Sequence, residues 1–499
     1  MQRLAEALEA LRAQVAADVA TDGADRHQVA LDYLVWCHAH AEAARALREW
    51  AARNRHPLAA EMADAAEEEA RAFVLGSGPE AAIAAGRRHA EIAGRLVPLE
   101  DLGAPDEHRL LRSTLRDFAE RQIGPHAQAI HRRDLDVPEP VIAGAAELGL
   151  FGMSVPTRYG GTQEREDFTA MLIATEELSR VSLAAGGSLI TRPEILVRAL
   201  LRGGTEDQRR RWLPAIASGR KLVAVGVTEP DHGSDVAGLG CRASRRPDGA
   251  WEVAGTKLWC TFAGRSELLM LLLRTAERGH RGLSVFVLEK PAFAGHAFEH
   301  LQPGGGALRA RAIPTIGYRG MHTFELSFDR YVLPADALVG GDEWLNRGFY
   351  LQMEGFAMGR IQTAGRAVGV MQAALDAALA YTRERRVFGS PVFDHQLARA
   401  KLGAAAMRVQ AARQLSYRAA RLLDAGGGQV EASLAKLYAS RMAELVTREA
   451  MQVHGAMGYG EETDVSRHFV DARVLAIFEG AEEVLSLRVV GRSLLDRPA

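Results

Sequence analysis

Glu479 stands in the stretch Ala476-Ile-Phe-Glu-Gly-Ala-Glu-Glu483, between large apolar residues and a glycine. Apolar walls disfavour the charged form of a carboxylate, so this setting suits a general base that takes up a proton during turnover. A glutamate at a helix start is the other reading of the same octapeptide, because negative charge is stabilised there. A second stretch with chemical content is Val227-Thr-Glu-Pro-Asp-His-Gly-Ser-Asp-Val236, which follows an apolar run. A strand running into such a Gly/Ser/Thr loop offers backbone N–H groups and hydroxyls to a phosphate or to the polar edge of a ring. The third is Arg192, which precedes Pro193 in the otherwise apolar Leu189-Ile-Thr-Arg-Pro-Glu-Ile195. Pro193 is expected to push Arg192 out of helical geometry and so aim its guanidinium, whereas a surface arginine is the commoner occupant of any one position.

These residues need elements to hold them. Residues 1–100 read as a separate helical extension, with Leu4, Leu8, Leu11 and Val15 on one stripe and Val29, Tyr33, Trp36, Ala43, Leu47 and Trp50 on another. His38 and His40 are two apart and share no helix face, so they read as ordinary residues and not as metal ligands. Residues 101–221 continue as a helical domain. Over 222–335 the period becomes strand-like, in the runs 222–228, 268–273, 283–288 and 323–328, with turn signals at Pro247-Asp248-Gly249 and Gly304-Gly-Gly306. A compact β-barrel domain is the natural reading. Residues 336–499 return to helices, with Val368, Met371, Leu375 and Leu379 on one stripe and a short Gly426-Gly-Gly428 link, as in an antiparallel four-helix bundle. The fold expected is therefore mainly α with a central β domain.

The chain has 499 residues and a formal net charge of -2, which gives no global basic field for nucleic acid. Cys37, Cys241 and Cys260 lack ligand or disulfide spacing, so a reducing cytoplasm and no metal are expected. No long uncharged apolar run suggests a membrane span, and the acids among residues 1–9 break any secretory h-region.

Thr228-Glu-Pro-x-x-Gly-Ser-Asp235 resembles the flavin-site loop of the acyl-CoA dehydrogenases. Lys257-Leu-Trp-Cys-Thr-Phe-Ala263 resembles that family's second flavin loop. Glu384-Arg-Arg-Val-Phe-Gly389 with His395-Gln396 is similar to the segment lent by a neighbouring subunit, Gln452-Val-His-Gly-Ala-Met-Gly-Tyr459 to its QxHGGxGY stretch, and Ile477-Phe-Glu-Gly480 to its IYEG. Five motifs in the family's order, spread over residues from about 104 to 494, restrict the reading far more than any one does.

The resemblance implies an FAD enzyme that dehydrogenates an acyl-CoA thioester between its α and β carbons. Glu479 would be the base, since Gly359 occupies the place where some branches carry it. Val227, Thr228, Ser234, Trp259 and Thr261 would meet the flavin. Arg385, Phe388, Gln396 and Gln452 would hold the cofactor's far end across a subunit boundary, which makes a homodimer or homotetramer necessary, and Ala456, Ala481 and Glu483 would also meet the cofactor. Ser234, Arg360 and Gly480 would contact the substrate. Ala456 replaces a glycine, Ala481 a threonine and Cys260 an aliphatic residue, so a hydroxyl contact is expected to be missing at Ala481. Electron-transfer flavoprotein is the acceptor that the family implies. Among substrates the resemblance points to (2S)-methylsuccinyl-CoA, giving mesaconyl-CoA, with Arg192 on the free carboxylate. A neutral short or branched acyl-CoA is the alternative substrate, and a flavin-containing DNA-binding or assembly protein is the alternative of another class.

Overall fold

The computed structural model describes residues 2–162 and 164–496, without the side chains of residues 354 and 357. Its helices in chain order are α1 (Gln2–Asp22), α2 (Gln28–Asn54), α3 (Pro57–Leu75), α4 (Pro79–Gly94), α5 (Asp106–Phe118), α6 (Gly124–Arg133), α7 (Glu139–Glu147), α8 (Phe168–Val181), α9 (Thr191–Gly203), α10 (Glu206–Ala217), α11 (Gly348–Glu384), α12 (Gln396–Asp424) and α13 (Gln429–His454). The chain divides into two compact units, one of Met1–Asp117, Phe168–Leu183 and Arg360–Ala499, the other of Phe118–Asp167 and Ala184–Gly359. None of the helices among the described residues is long and apolar enough to cross a membrane.

The first unit is helical. The N-terminal helices share its core instead of standing apart: a methyl at Gly403 of α12 would collide with the His89 carbonyl of α4, and Arg408 and Arg418 of α12 pair with Glu69 at 2.9 Å and Glu42 at 2.7 Å. On α2 the residues Trp36, Ala43, Leu47 and Trp50 are buried as their spacing predicts, but Val29 is 86% exposed. Near its start α2 instead buries Leu31, Leu34 and Val35, because Leu31 packs against Gly491 and thereby sets which side faces inward. Helix α8 also packs in this unit. Its first turn is tied to the end of α12, where Asp424 accepts from Phe168 N at 2.6 Å and Thr169 Oγ1 at 2.9 Å.

The second unit is built on a curled eight-stranded sheet. Its strands are β1 (Val223–Gly226), β2 (Arg242–Arg245), β3 (Trp251–Thr261), β4 (Leu268–Arg274), β5 (Leu283–Glu289), β6 (Ala297–Leu301), β7 (Ala307–Ala312) and β8 (Thr323–Leu333), ordered β1-β4-β2-β3-β8-β7-β6 with β5 beside β4. Leu268, Met270 and Leu272 of β4 face a layer containing Leu196, Leu200, Trp212 and Ile216 of α9 and α10. Leu269, Leu271 and Leu273 face the opposite layer with Phe286, Phe324 and Leu326. A strand covered on both faces reads as a continuous apolar run, which is why β4 has no alternation.

At the heart of the first unit lies a buried ion network. Arg413 Nε donates to Glu176 at 3.0 Å, Arg112 donates to Glu176 at 3.1 Å and to Glu177, and Tyr417 donates to Glu176 at 3.1 Å. Burial pushes the Glu176 carboxyl up, but Arg413 and Arg112 outweigh it and hold it at about 2, against an ordinary 4.5. A depressed carboxyl stabilises fully above its unfolded value, and that contribution fades as the pH falls from 4.5 toward 2. Glu176→Gln is expected to cost about 3–5 kcal/mol at pH 7, since it leaves buried guanidiniums without their counter-charge. Urea midpoints at pH 7 and pH 3 check this: the variant's midpoint should lose less on acidification than the parent's.

Candidate active site

In the second unit β1 ends at Gly226, where a side chain would press on Leu271 at 2.8 Å and Cys260 Sγ at 3.3 Å, and the chain then turns through Val227 and Thr228. Lys257, fully buried on β3, secures this turn. Its Nζ donates to the Val227 carbonyl at 3.0 Å and to Glu229 Oε1 at 2.7 Å, while Leu258 N donates to the Thr228 carbonyl at 2.7 Å. Glu229 also accepts from Gly240 N at 2.6 Å and Cys241 N at 2.9 Å, so it closes the loop that carries Ser234. The buried ion pair and the Leu258 N–H thus tie Val227 and Thr228 to β3, the strand that carries Trp259 and Thr261, and Ser234 is exposed on the loop.

Trp259 has φ 59° and is 53% exposed, and Phe262 three residues further on has φ 68°. A left-handed conformation disfavours bulky residues, so both need external support. Phe262 N finds it by donating to the carbonyls of His322 at 2.8 Å and Met321 at 3.1 Å. A large indole held open to solvent in such a conformation is the feature of a built stacking surface. Cys260 between them is buried, and burial pushes its thiol up to about 12, so it acts as a small apolar residue.

Arg192 corrects the expectation from Pro193. It lies inside the first turn of α9, where a proline is tolerated because the N–H it lacks would have no helical partner. It is also not a surface residue: it is 7% exposed, its guanidinium 3.5 Å from the Ser188 carbonyl and 5.9 Å from the centroid of Tyr318. Tyr318 has φ 59° and sits in a loop tied down by Arg319, which donates to Thr315 O at 3.0 Å and His131 O at 2.8 Å. Asp134, His296 and His322, whose ligand-type atoms lie within 4.8 Å of one another, form an ion-paired group at the same loop, with His322 Nδ1 2.9 Å from Asp136.

In the first unit Glu479 has φ 55° and Gly480 φ 99°. Helix α13 grips this turn along one face: Lys436 Nζ donates to the Gly480 carbonyl at 2.7 Å, and one turn on Ser440 Oγ donates to the Leu475 carbonyl at 3.1 Å. One turn back, Ser433 accepts from Arg360 Nη1 at 3.2 Å. Lys436 is fully buried. Burial drives its ammonium down to about 7, against the opposing pull of Glu479 and Glu482. Burial likewise lowers the Arg360 guanidinium, with Glu479 opposing. The Arg366 guanidinium covers the Phe478 ring at 4.7 Å. Glu479 Oε2 is buried without a hydrogen-bond partner, and among the described residues no acceptor takes the Glu479 amide. The carboxylate and the amide of one strained residue are therefore both open for use.

The remaining expected residues lie at the surface of the same unit. Arg385 leads into a tight hairpin of β9 (Arg386–Val387) and β10 (Ser390–Pro391), whose turn holds Phe388 at φ 50° and 98% exposed. Gln396, Gln452, Ala456 and Glu483 are exposed as well. The hairpin's helix and the glutamine stretch are joined by Tyr381 stacked on His454, ring centroids 4.4 Å apart. Ala481 starts a short helical turn with no side-chain cap, which matches the missing hydroxyl.

Sequence reasoning missed Lys257, Glu229, Arg366 and Lys436. For Lys436 a signal existed: it is the only charge in Ala432-Ser-Leu-Ala-Lys-Leu-Tyr-Ala-Ser440, on the buried side of a helix. Lys257→Met would leave Glu229 buried with only backbone donors, at an expected cost of about 3–5 kcal/mol in urea unfolding, with a double change of Lys257 and Glu229 to apolar residues costing less.

Comparison with known proteins gives the family. Three family models match: the N-terminal domain of acyl-CoA dehydrogenase over residues 105–220, its middle domain over 224–331 and its C-terminal domain over 346–495. The chain is 39% identical over 398 residues to a (2S)-methylsuccinyl-CoA dehydrogenase of Cereibacter sphaeroides, covering 79% of this chain and 70% of that one. It is similar to the structure of butyryl-CoA dehydrogenase from Megasphaera elsdenii, with TM-score 0.72, 29% identity, and 79% and 100% of the two chains covered. A glutaryl-coenzyme A dehydrogenase complexed with glutaryl-CoA is similar too, with TM-score 0.71, 28% identity, and 80% and 97% covered.

Proposed function

We propose that this chain, which belongs to the acyl-CoA dehydrogenase family and is an FAD-dependent enzyme, dehydrogenates (2S)-methylsuccinyl-CoA to mesaconyl-CoA. The observation that carries the chemistry is Glu479, held left-handed with a buried, unpartnered Oε2. A thioester α-proton is poorly acidic, so its removal needs a positioned base together with donors aimed at the carbonyl oxygen. Glu479 Oε2 takes the proton, and the open amide of the same residue donates to the thioester oxygen. Arg360, half-buried and anchored on Ser433, binds the CoA portion.

FAD, when bound, supplies the two-electron acceptor for the hydride that leaves the β carbon as the double bond forms. The residues present fit it: Trp259 offers an exposed aromatic face, Thr228 and Thr261 offer hydroxyls beside it, and the neighbouring loop carries Ser234. Arg385, Phe388, Gln396 and Gln452 hold the far end of a second copy's cofactor, and Ala456, Ala481 and Glu483 also meet the cofactor. Phe388, left-handed and 98% exposed, supports this assignment, since a strained aromatic open to solvent is a candidate contact surface. The enzyme accordingly works as a homodimer or homotetramer and passes its electrons to an electron-transfer flavoprotein.

For the acyl group, buried Arg192 supplies the charge that a free carboxylate needs in an apolar pocket, and its planar fork suits bidentate binding. The relative named for methylsuccinyl-CoA and the structure holding glutaryl-CoA, another chain with a terminal carboxylate, support this choice.

Glu479→Gln is expected to slow anaerobic flavin bleaching by roughly 10²–10⁴-fold with FAD content unchanged. Arg192→Met is expected to lower kcat/KM for methylsuccinyl-CoA by about 10–100-fold, the worth of a charged hydrogen bond, and for butyryl-CoA by no more than about twofold. An equal loss for both substrates would remove Arg192 from the substrate site.

A further inference from the structure

The N-terminal helices lie outside the regions matched by the family models, which begin at residue 105, yet α2 reaches the segment that bears Glu479. Asp32 Oδ1 accepts from Ser486 Oγ at 2.6 Å. One turn on, the Trp36 ring lies beneath the Arg441 guanidinium at 3.3 Å from the centroid, and Arg441 pairs with Glu482, three residues after Glu479. Leu31 fills the space beside Gly491, where an added methyl would come within 2.9 Å of it. Trp36 is almost wholly buried with its indole N–H unpartnered, so the residue is kept for its ring face and at some cost. A guanidinium pressed flat on an indole loses its freedom to swing, and its fork is fixed toward the carboxylate it meets. Arg441 belongs to α13, the helix whose Lys436 and Ser440 hold the same segment at Gly480 and Leu475.

We propose that α2 is a brace for the catalytic loop, with Asp32 and Trp36 as positioning residues that fix Glu479 through Ser486 and the Arg441–Glu482 pair. This rests on the reading of Glu479 as the base. The brace gives the N-terminal extension a catalytic purpose: α2 backs Arg441 of α13, which holds Glu482, and takes Ser486 directly, so the segment that follows Glu479 is fixed by a helix from the first fifty-odd residues. The carboxylate then has one position relative to the α-proton, and a displacement of about 1 Å there is enough to cost a large factor in rate.

The test uses the full-length, FAD-loaded protein with Trp36→Leu, Trp36→Phe, Asp32→Asn and, as control, Trp50→Leu. Trp50 is a buried tryptophan of the same helix whose Nε1 donates to the Leu102 carbonyl at 3.1 Å. Three quantities are read: exchange of the acyl-CoA α-proton with D2O by NMR, kcat and KM separately, and amide hydrogen exchange over residues 475–486. Trp36→Leu is expected to slow α-proton exchange and kcat by about tenfold or more, with KM within about twofold and faster amide exchange in 475–486. Trp36→Phe, which keeps a ring face, should recover most of the rate, and Trp50→Leu should leave the loop's amide exchange unchanged. Equal slowing by Trp36→Leu and Trp50→Leu, or an unchanged loop in Trp36→Leu, overturns the brace. If Trp36→Leu does not fold, Asp32→Asn decides by the same readings. A Glu479→Gln enzyme that still exchanges the α-proton would instead refute the base, while the loop's amide exchange would continue to report on the brace.

Discussion

The hydrogen bond from Lys436 to the Gly480 carbonyl is the constraint on which the proposed chemistry depends. A glutamate in the left-handed region costs of order 1–3 kcal/mol and persists only where its surroundings over-determine it. A buried lysine Nζ donating to a backbone oxygen contributes to that determination, since an intramolecular hydrogen bond is worth about 0.5–1.5 kcal/mol net. Ser440 holds the same segment five residues upstream of Gly480, at Leu475, and Arg441 holds it at Glu482. The turn is thus held before, at and after the carboxylate, and this leaves Oε2 and the amide free of other duties.

The sheet unit solves a similar problem by the same physics. Lys257 donates to the Val227 carbonyl and Lys290 to the carbonyls of Gly264 and Ser266, each from a buried position. In each case the cation fixes an irregular stretch of backbone that carries or borders a motif. Irregular buried backbone leaves carbonyls without partners, and a lysine's three donors can satisfy several of them at once. Burial drives Lys290 down to about 7, as it does Lys436.

Much of this was legible in the residues, and the gaps have physical causes. The four apolar runs are strands, but β2, β3, β6 and β7 were not visible. Irregular registers between Val253 and Gly255 and between Lys257 and Cys260 break the alternation of β3, and β6 and β7 carry charged residues on an exposed face. The motif glutamate, tryptophan and threonine were legible because their chemistry demands particular residue types. Their supports were not, because Lys436 pairs with Gly480 and Lys257 with Glu229 across long separations in sequence. The role of residues 1–100 was invisible for the same reason: what matters is that Trp36 meets Arg441, and nothing local to either residue announces it.

The substrate proposed for Glu479 is a thioester with a free terminal carboxylate. The most direct measurement mixes the flavin-loaded protein anaerobically with (2S)-methylsuccinyl-CoA, butyryl-CoA and isovaleryl-CoA in turn and follows the flavin absorbance. The account predicts rapid bleaching by methylsuccinyl-CoA with mesaconyl-CoA as product, and slower bleaching by the two neutral thioesters. Bleaching by butyryl-CoA or isovaleryl-CoA with none by methylsuccinyl-CoA would contradict it.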